Sequence, residues 1–346
     1  MRPGFLTKVF SRYLSVESTF GYSFHFGLED SDRYKQIAKE VCEALIAGVT
    51  PKYMIPPTAA DFKLIADEFS KKWSLPNCVG AVGCKNVKLR VPENVGADFK
   101  EEQHCISVVA LCDAKFCFTI AEVDYLGSKS DGSAFKHSNL GQSISGNSLA
   151  TPPPSKLPKS KGDQQFNYFA VGANNLSLRE NFMIPYPKAS LNDQDEKLRY
   201  ERRIFNFRLS RATRVADNAF GVMVCRWKKM QKRLAVPVDT AILYVRACIC
   251  LHNYIMKTRT SNNNGMGTFG DVYGAKDRLS KPGRWRGDSS PWVDTMIKSN
   301  KNPTLEARKR RDVLAKYLSY ENTLDYQVEV SNASKAPRAK KQKLQD

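Results

Sequence analysis

The chain has 346 residues, 42% of them hydrophobic, so it is long enough and apolar enough to bury a sizeable core. Its net charge of +19 favours a polyanionic partner such as nucleic acid, although a basic soluble protein without such a partner has the same composition. The sequence has no run of about 18 apolar residues and no apolar signal core at its start, so we expect a soluble protein and no membrane contact.

Neither the cysteines nor the histidines are spaced as metal ligands. None of the nine cysteines forms a C-x-x-C pair, so neither a zinc site nor a disulfide framework is predicted. The histidines lack H-x-x-x-H spacing and are expected to be packing or surface residues. They are His25, His104, His137 and His252.

Amphipathic helices are predicted near the start of the chain. Apolar residues keep helical spacing from Ser31 to about residue 47. A T-x-x-D capping box from Thr58 to Asp61 opens a second helix. Residues 1–74 are therefore predicted to form a helical N-terminal region.

Strands are predicted next, because three segments are rich in β-branched and aromatic residues and are punctuated by Gly, Pro and Asp. They are residues 79–92, 105–113 and 116–125. A short helical piece follows at 131–140. The segment 141–165 contains SLATPPPSKLPKSKGDQQ and is predicted to be a disordered insertion. A further buried strand is predicted at 167–175.

Long helices over 195–233 and 239–257 complete a central domain that is predicted to span residues 75–257. Strands followed by long helices, with one strand between helices, predict an α/β fold in which helices flank a mixed sheet. The rest of the chain is predicted to be a flexible loop rich in Gly, Asn and Ser, a C-terminal helix and a disordered basic tail, at residues 258–304, 305–327 and 328–346. The tail sequence KAPRAKKQKLQD fits a nuclear-import signal or a solvated basic end.

The stretch GAVGCKN, residues 80–86, contains glycines and a lysine but does not fit a phosphate-binding loop. A Walker-type loop needs G-x-x-x-x-G-K-[ST] between a strand and a helix. Here Asn86 replaces the hydroxyl residue, and VKLRVP continues as a strand.

The longer segment LPNCVGAVGCKNVKLRVP is similar to the FPNCIGAIDGKHV segment of PIF/Harbinger transposases and of the nucleases derived from them. Further matches follow in the family's order: HCISVVALCDA, DYLGSKSDGSAF, FAVGANNLSLRENFMIPYP, RIFNFRLSRATRVADNAFGVMVCRWKKM and ACICLHNYIM. Several motifs in the correct order, across about residues 19–327, are more specific than any one of them. The resemblance implies a ribonuclease H-like fold with a helical N-terminal extension, in which one helix is the remnant of a helix-turn-helix.

The resemblance also implies a catalytic centre. In the family, the three carboxylates of a DDE triad hold two divalent metal ions, Mg²⁺ or Mn²⁺, that cut DNA. Carried across motif by motif, the three positions are Gly83, Ala173 and Asp217. Only Asp217 keeps a carboxylate, shortened by one methylene from the family's glutamate. Asp217 is thus the single candidate catalytic and metal-binding residue, and we expect no bound metal and no cleavage.

We therefore predict a transposase-derived protein that has lost catalysis and keeps non-specific binding to the DNA backbone. The candidate DNA-binding residues are Lys85, Arg199, Arg203, Arg211 and Arg214. A solvated helix face, with Arg214 and Asp217 as a surface pair, accounts for most of the same residues without DNA.

Other functions stay open. An active Mg²⁺- or Mn²⁺-dependent endonuclease would need Asp217 with improvised ligands such as Asn174. A nuclear scaffold would keep only the surface for the Myb-like DNA-binding protein with which the family's transposases work. A transposon relic without a selected role is a further reading. The expected location is the nucleus, with the cytoplasm also open.

Overall fold

The computed structural model describes residues 31–90, 104–125, 134–173, 175–258, 269–287, 292–294 and 303–329. The predictions for residues 1–30 and for most of the basic tail lie outside these ranges, as does Asn174. Among the described helices, none is long and apolar enough to cross a membrane.

Seven α-helices are described, and the longest is α5. They are α1 Ser31–Tyr53, α2 Ala59–Trp73, α3 Ala134–His137, α4 Asn139–Ser145, α5 Glu196–Arg226, α6 Val238–Thr258 and α7 Leu305–Tyr320. The predicted capping box is confirmed: the Asp61 backbone N–H donates to Thr58 Oγ1, and the Thr58 N–H donates back to the Asp61 carboxylate.

The strands form one mixed sheet and two short hairpins. They are β1 Cys78–Lys88, β2 Cys105–Cys112, β3 Phe118–Tyr125, β4 Ser155–Lys156, β5 Gln165–Phe166, β6 Phe169–Val171, β7 Phe182–Met183, β8 Val272–Tyr273, β9 Leu279–Lys281 and β10 Trp292–Asp294. The mixed sheet has the order β3-β2-β1-β6-β7, with β10 also paired to β1. The pairs β1–β2 and β2–β3 are antiparallel, whereas β1–β6 and β6–β7 are parallel.

Strand β10 extends the edge of β1 beyond the end of β6. It pairs with residues 85–87 of β1, which also pair with β2. Because a strand has only two edges, β10 must lie on the edge that β6 occupies at residues 78–81. The chain after residue 287 therefore returns to the centre of the sheet.

Both faces of the sheet are covered. Successive side chains of a strand point to opposite faces, and in β2 Val108 and Ala110 join a large core with α1, α5, α6 and α7. Val109 and Leu111 join a smaller core with α3, α4 and Phe62 of α2. The near-continuous burial of β2 follows from this double covering.

The prediction of a disordered insertion at 141–165 is wrong. The segment contains the end of α4, strand β4 and the first residue of β5, and it docks on the domain. Leu157 is buried, the Tyr317 hydroxyl donates to the Pro158 carbonyl at 2.5 Å, and Asn77 Nδ2 donates to Ser155 Oγ. Proline removes backbone donors but leaves carbonyls free to accept, so a Pro-rich segment can be fixed by side chains from elsewhere.

Other boundaries need correction. The predicted loop 258–304 contains strands β8, β9 and β10. The long helix ends at Arg226 rather than near 233, and the C-terminal helix ends at Tyr320 rather than at 327. The N-terminal helices are not a separate region, because α1 packs on α6, with Thr50 Oγ1 at 3.2 Å from Cys250 Sγ.

Candidate active site

The first predicted carboxylate position lies where β1 meets α5. Gly83 faces α5 so closely that a Cβ atom built on it would lie 2.7 Å from Phe220 Cε2 and 3.2 Å from Ala216 Cβ. Phe220 is itself buried and packs edge-to-face on Phe118, with ring centroids 5.1 Å apart. No side chain fits at Gly83 unless this ring moves.

The second position lies beside the first. Val171, the last residue of β6, is the parallel partner of Ala81 in β1. Ala173 and Gly83 follow these partners by two residues each, so Ala173, just beyond the end of β6, lies beside the middle of β1 where Gly83 stands. Ala173 is exposed.

The third position lies on α5 and is part of an ion pair. Asp217 is 54% exposed, and its Oδ1 atom is 3.3 Å from Nζ of Lys85, whose side chain is only 15% exposed. Lys85 lies two residues beyond Gly83 on the same face of β1. The structure therefore brings the three positions together, with a lysine ammonium between the strand and the remaining carboxylate.

Comparison with known proteins identifies the family of the central segment. Residues 82–253 match the family model described as DDE superfamily endonuclease. This segment is a DDE superfamily endonuclease domain. The chain is 22% identical over 204 residues to a protein of Xenopus laevis named "Putative nuclease HARBI1". That alignment covers 51% of this chain and 59% of the relative, so the chain spans about three fifths of the relative's length. The search for similar solved structures gives no match.

The family and the fold class predicted from the sequence are therefore confirmed. The DDE domain of this chain has the mixed α/β sheet flanked by helices that a ribonuclease H-like fold requires. The DDE endonuclease superfamily is generally dependent on divalent metal ions.

The residues at the three positions do not suit a pair of divalent metal ions. Hard cations such as Mg²⁺ need several oxygen ligands at short range. Gly83 and Ala173 have no side-chain oxygen, and the Asp217 carboxylate is bound by the Lys85 ammonium. Within the described ranges, no group of three or more His, Cys, Asp and Glu side chains is arranged to hold a metal ion.

The other residues predicted to bind DNA have contacts within the DDE domain. Arg199 Nη1 donates to the Asp193 carbonyl at 3.2 Å, and Arg203 Nη2 donates to the Leu191 carbonyl at 3.3 Å. Arg211 is 4% exposed and therefore does not present its guanidinium to the solvent.

Arg214 packs over the Tyr273 ring, with Cζ 4.2 Å from the centroid. Asp217, its predicted partner on the helix face, contacts Lys85 of β1.

Asn218, which follows Asp217 in the family motif, was not selected from the sequence. Its side chain is 1% exposed, and Oδ1 accepts hydrogen bonds from the Asp271 N–H at 3.1 Å and from Trp285 Nε1 at 3.2 Å. Gly221, one turn further along α5, lies directly under the Trp285 ring and leaves no space for a Cβ atom. The motif therefore fixes residues 269–287 against α5, and only the fold reveals this role.

The dipeptide His252–Asn253 also has a structural role. Asn253 Oδ1 accepts from the Phe118 N–H at 2.9 Å, and Nδ2 donates to the carbonyls of Phe118 at 2.7 Å and Tyr53 at 3.0 Å. His252 Nε2 lies 2.8 Å from the Phe116 carbonyl. Burial, reinforced by the charge of Arg226, lowers the pKa of His252 to about 4. Both residues tie α6 to the start of β3.

Proposed function

We propose that this protein descends from a DDE endonuclease, no longer cleaves DNA, and binds the phosphate backbone of DNA. The observation that supports the loss of cleavage most directly is the packing of Phe220 at Gly83, because it leaves no space for a first metal-binding carboxylate. Metal-assisted cleavage of a phosphodiester depends on metals that clamp the attacking and leaving oxygens. Gly83 and Ala173 offer no side-chain oxygen, and the Asp217 carboxylate is bound by Lys85. The three positions therefore lack the ligands that two such metals need.

Charge supports the second half of the proposal. The chain carries 54 basic against 35 acidic residues, and a surplus of this size attracts nucleic acid through counterion release. Such contacts position a protein on DNA but carry no sequence information. We therefore expect binding without strong sequence preference.

A combined assay tests both parts on the full chain. Supercoiled plasmid is incubated with the protein in Mg²⁺, in Mn²⁺ and in EDTA, and nicking is scored while affinity for a labelled duplex is measured between 50 and 200 mM salt. We expect no nicking in any condition, and an affinity that falls steeply and linearly on logarithmic axes as salt rises. Nicking that needs metal and disappears in Asp217→Ala would contradict the loss of cleavage. Absence of binding at the lowest salt would contradict the DNA-binding part and would favour a scaffold function.

A further inference from the structure

The segment 269–287, here called the basic hairpin, contains β8, β9 and the turn that carries Trp285. It has five lysines and arginines against two aspartates. One of those aspartates, Asp271, is buried as a side chain and organises the hairpin from inside. An isolated hairpin of this length is only marginally stable in water, so contacts beyond its own strand pairing must stabilise it.

Asp271 supplies the internal support. Its carboxylate accepts two hydrogen bonds from Arg286, at 2.8 Å from Nε and 2.6 Å from Nη2, and one from the Gly283 N–H at 2.9 Å. The Tyr273 hydroxyl donates to the same carboxylate at 2.9 Å. Burial raises the pKa of Asp271, but these hydrogen bonds outweigh it and hold the pKa below its usual value. Charge-assisted bonds of this kind are among the stronger ones in proteins.

Helix α5 supplies the external support. Asn218 binds the hairpin at both Asp271 and Trp285, and Arg214 packs under the Tyr273 ring. These contacts hold the hairpin on α5 at Asn218, the residue that follows Asp217. The hairpin is therefore fixed to α5 by side-chain contacts as well as by its own hydrogen bonds.

The outer side of the hairpin is basic. Arg278, Lys281 and Arg284 are exposed, and among the described residues none of them forms an ion pair. Arg284 lies 5.6 Å from the centroid of the Phe269 ring. The Lys276 ammonium, at 2.7 and 2.9 Å from the two carboxylate oxygens, is the main cause of the lowered pKa of Glu329, and Arg278 adds a smaller effect of the same sign.

The position of these cations differs from what the sequence predicted. The arginines of α5 that were expected to reach DNA contact carbonyls, lie buried, or support Tyr273. The hairpin instead presents exposed cations on a backbone that is already ordered. Binding through these cations therefore costs little conformational entropy for ordering the backbone.

We propose that the basic hairpin is the principal contact of this protein with the phosphates of duplex DNA, through Arg278, Lys281 and Arg284. This inference rests on the DNA binding proposed above. It assigns that binding to one element and predicts that Asp271 acts as a positioning residue, because its carboxylate orders the element without facing the phosphates.

A neutralised variant tests the charges. In the full chain, Arg278→Gln, Lys281→Gln and Arg284→Gln are combined, and binding to a 25-base-pair duplex is measured by fluorescence anisotropy across a salt series. The loss of three phosphate contacts is expected to reduce the slope of log affinity against log salt by about 3 and to weaken binding on the order of tenfold or more. The matched control is Arg308→Gln, Lys309→Gln and Lys316→Gln, three exposed cations of α7, which should leave the slope nearly unchanged.

A second variant tests whether the ordered conformation of the hairpin, and not only its charge, contributes to binding. Asp271→Asn makes the protein more basic by one charge, so binding by net charge alone predicts tighter association. Loss of the bidentate Arg286 contact is expected to loosen the hairpin and weaken binding several-fold, with faster amide exchange in 269–287 and an unchanged unfolding midpoint for the rest of the chain.

The outcomes are distinguishable. Binding by the wild type with equal slopes for the hairpin and α7 variants overturns the hairpin assignment but leaves the proposed function intact. Tighter binding by Asp271→Asn overturns the positioning role. Tighter binding to double-stranded RNA of the same sequence overturns duplex DNA as the ligand. No binding by the wild type overturns both proposals together.

Discussion

At the scale of single residues, Gly83 is a tightly packed position of the candidate site. The Phe220 ring fills the space of its missing side chain. We expect Gly83→Ala to destabilise the fold by about 1–3 kcal/mol, because overpacking a filled core forces its neighbours to shift. Urea unfolding measures this free energy.

The chain offers a matched control at Gly48 in α1, where an added Cβ atom would meet nothing within 4 Å. Gly48→Ala should be neutral or stabilising by about 0.5–1 kcal/mol, because alanine favours a helix interior. Equal stabilities for Gly83→Ala and wild type would mean that Phe220 moves easily, and a carboxylate could then be accommodated.

The ion pair between Lys85 and Asp217 makes a second prediction at this scale. Asp217→Asn removes the carboxylate that binds the Lys85 ammonium at 3.3 Å. We expect the affinity for duplex DNA to rise, with a salt slope steeper by about 1, if Lys85 then reaches a phosphate. Salt-dependent anisotropy is the measurement.

Asp325→Asn is the control for that change, because Asp325 is exposed and lies after α7. It alters the net charge equally at a remote place. If both variants raise the affinity by the same amount, net charge alone explains the effect and Lys85 has no local role.

At the scale of elements, the sequence predicted most helices and strands but misjudged how loops attach to them. Periodicity identified α2 and α6, and β-branched composition identified β2 and β3, because these patterns depend on which face is buried. The segment 141–165 was misjudged because its stabilising contacts come from distant residues such as Tyr317 and Asn77. Composition contains no information about such partners.

The hydrogen bonds by which Asn253 of α6 holds the start of β3 lead to a prediction at this scale. Asn253→Ala removes the acceptor of the buried Phe118 N–H and one donor each from the carbonyls of Phe118 and Tyr53, of which Tyr53 still accepts from Lys257 Nζ. An unsatisfied buried group costs about 1–3 kcal/mol, so we expect a loss of free energy of unfolding of at least that size. Arg246→Ala, an exposed change in the same helix, should stay within about 0.5 kcal/mol of wild type in the same urea titration.

The candidate site shows the same limit of sequence reasoning. Motif spacing was enough to select Gly83, Ala173 and Asp217, which the fold brings together. It gave no indication that Lys85 would bind Asp217 or that Asn218 would anchor a hairpin from residue 271 onward. Those contacts join segments that are far apart in sequence, and only the packing of α5 on β1 determines them.

At the scale of the whole molecule, the buried His252 makes the fold sensitive to acid. Its pKa is about 4 in the folded protein, against about 6.5 in an unfolded chain. Between these values the unfolded state binds more protons, so the free energy of unfolding falls as pH decreases from 6.5 to 4. Below pH 4 the contribution of His252 is fully lost and changes no further. The full effect of this residue is about 3 kcal/mol.

Unfolding in urea from pH 7.5 to pH 4 measures the slope. In His252→Gln the amide can still donate to the Phe116 carbonyl but does not titrate, so the loss of stability across this window should become smaller. An unchanged pH profile would show that His252 is protonated as easily in the folded chain as in the unfolded one.

The contact between Gly83 and Phe220 also bears on descent. A side chain restored at position 83 would have to share its space with the Phe220 ring, because Cε2 of that ring lies 2.7 Å from the place of a Cβ atom. Glycine and aspartate codons differ by one base, yet that single reversal would now meet a steric barrier before it restored any chemistry. A change at this position alone would therefore need a compensating change at Phe220 or Ala216 before a carboxylate could occupy the place.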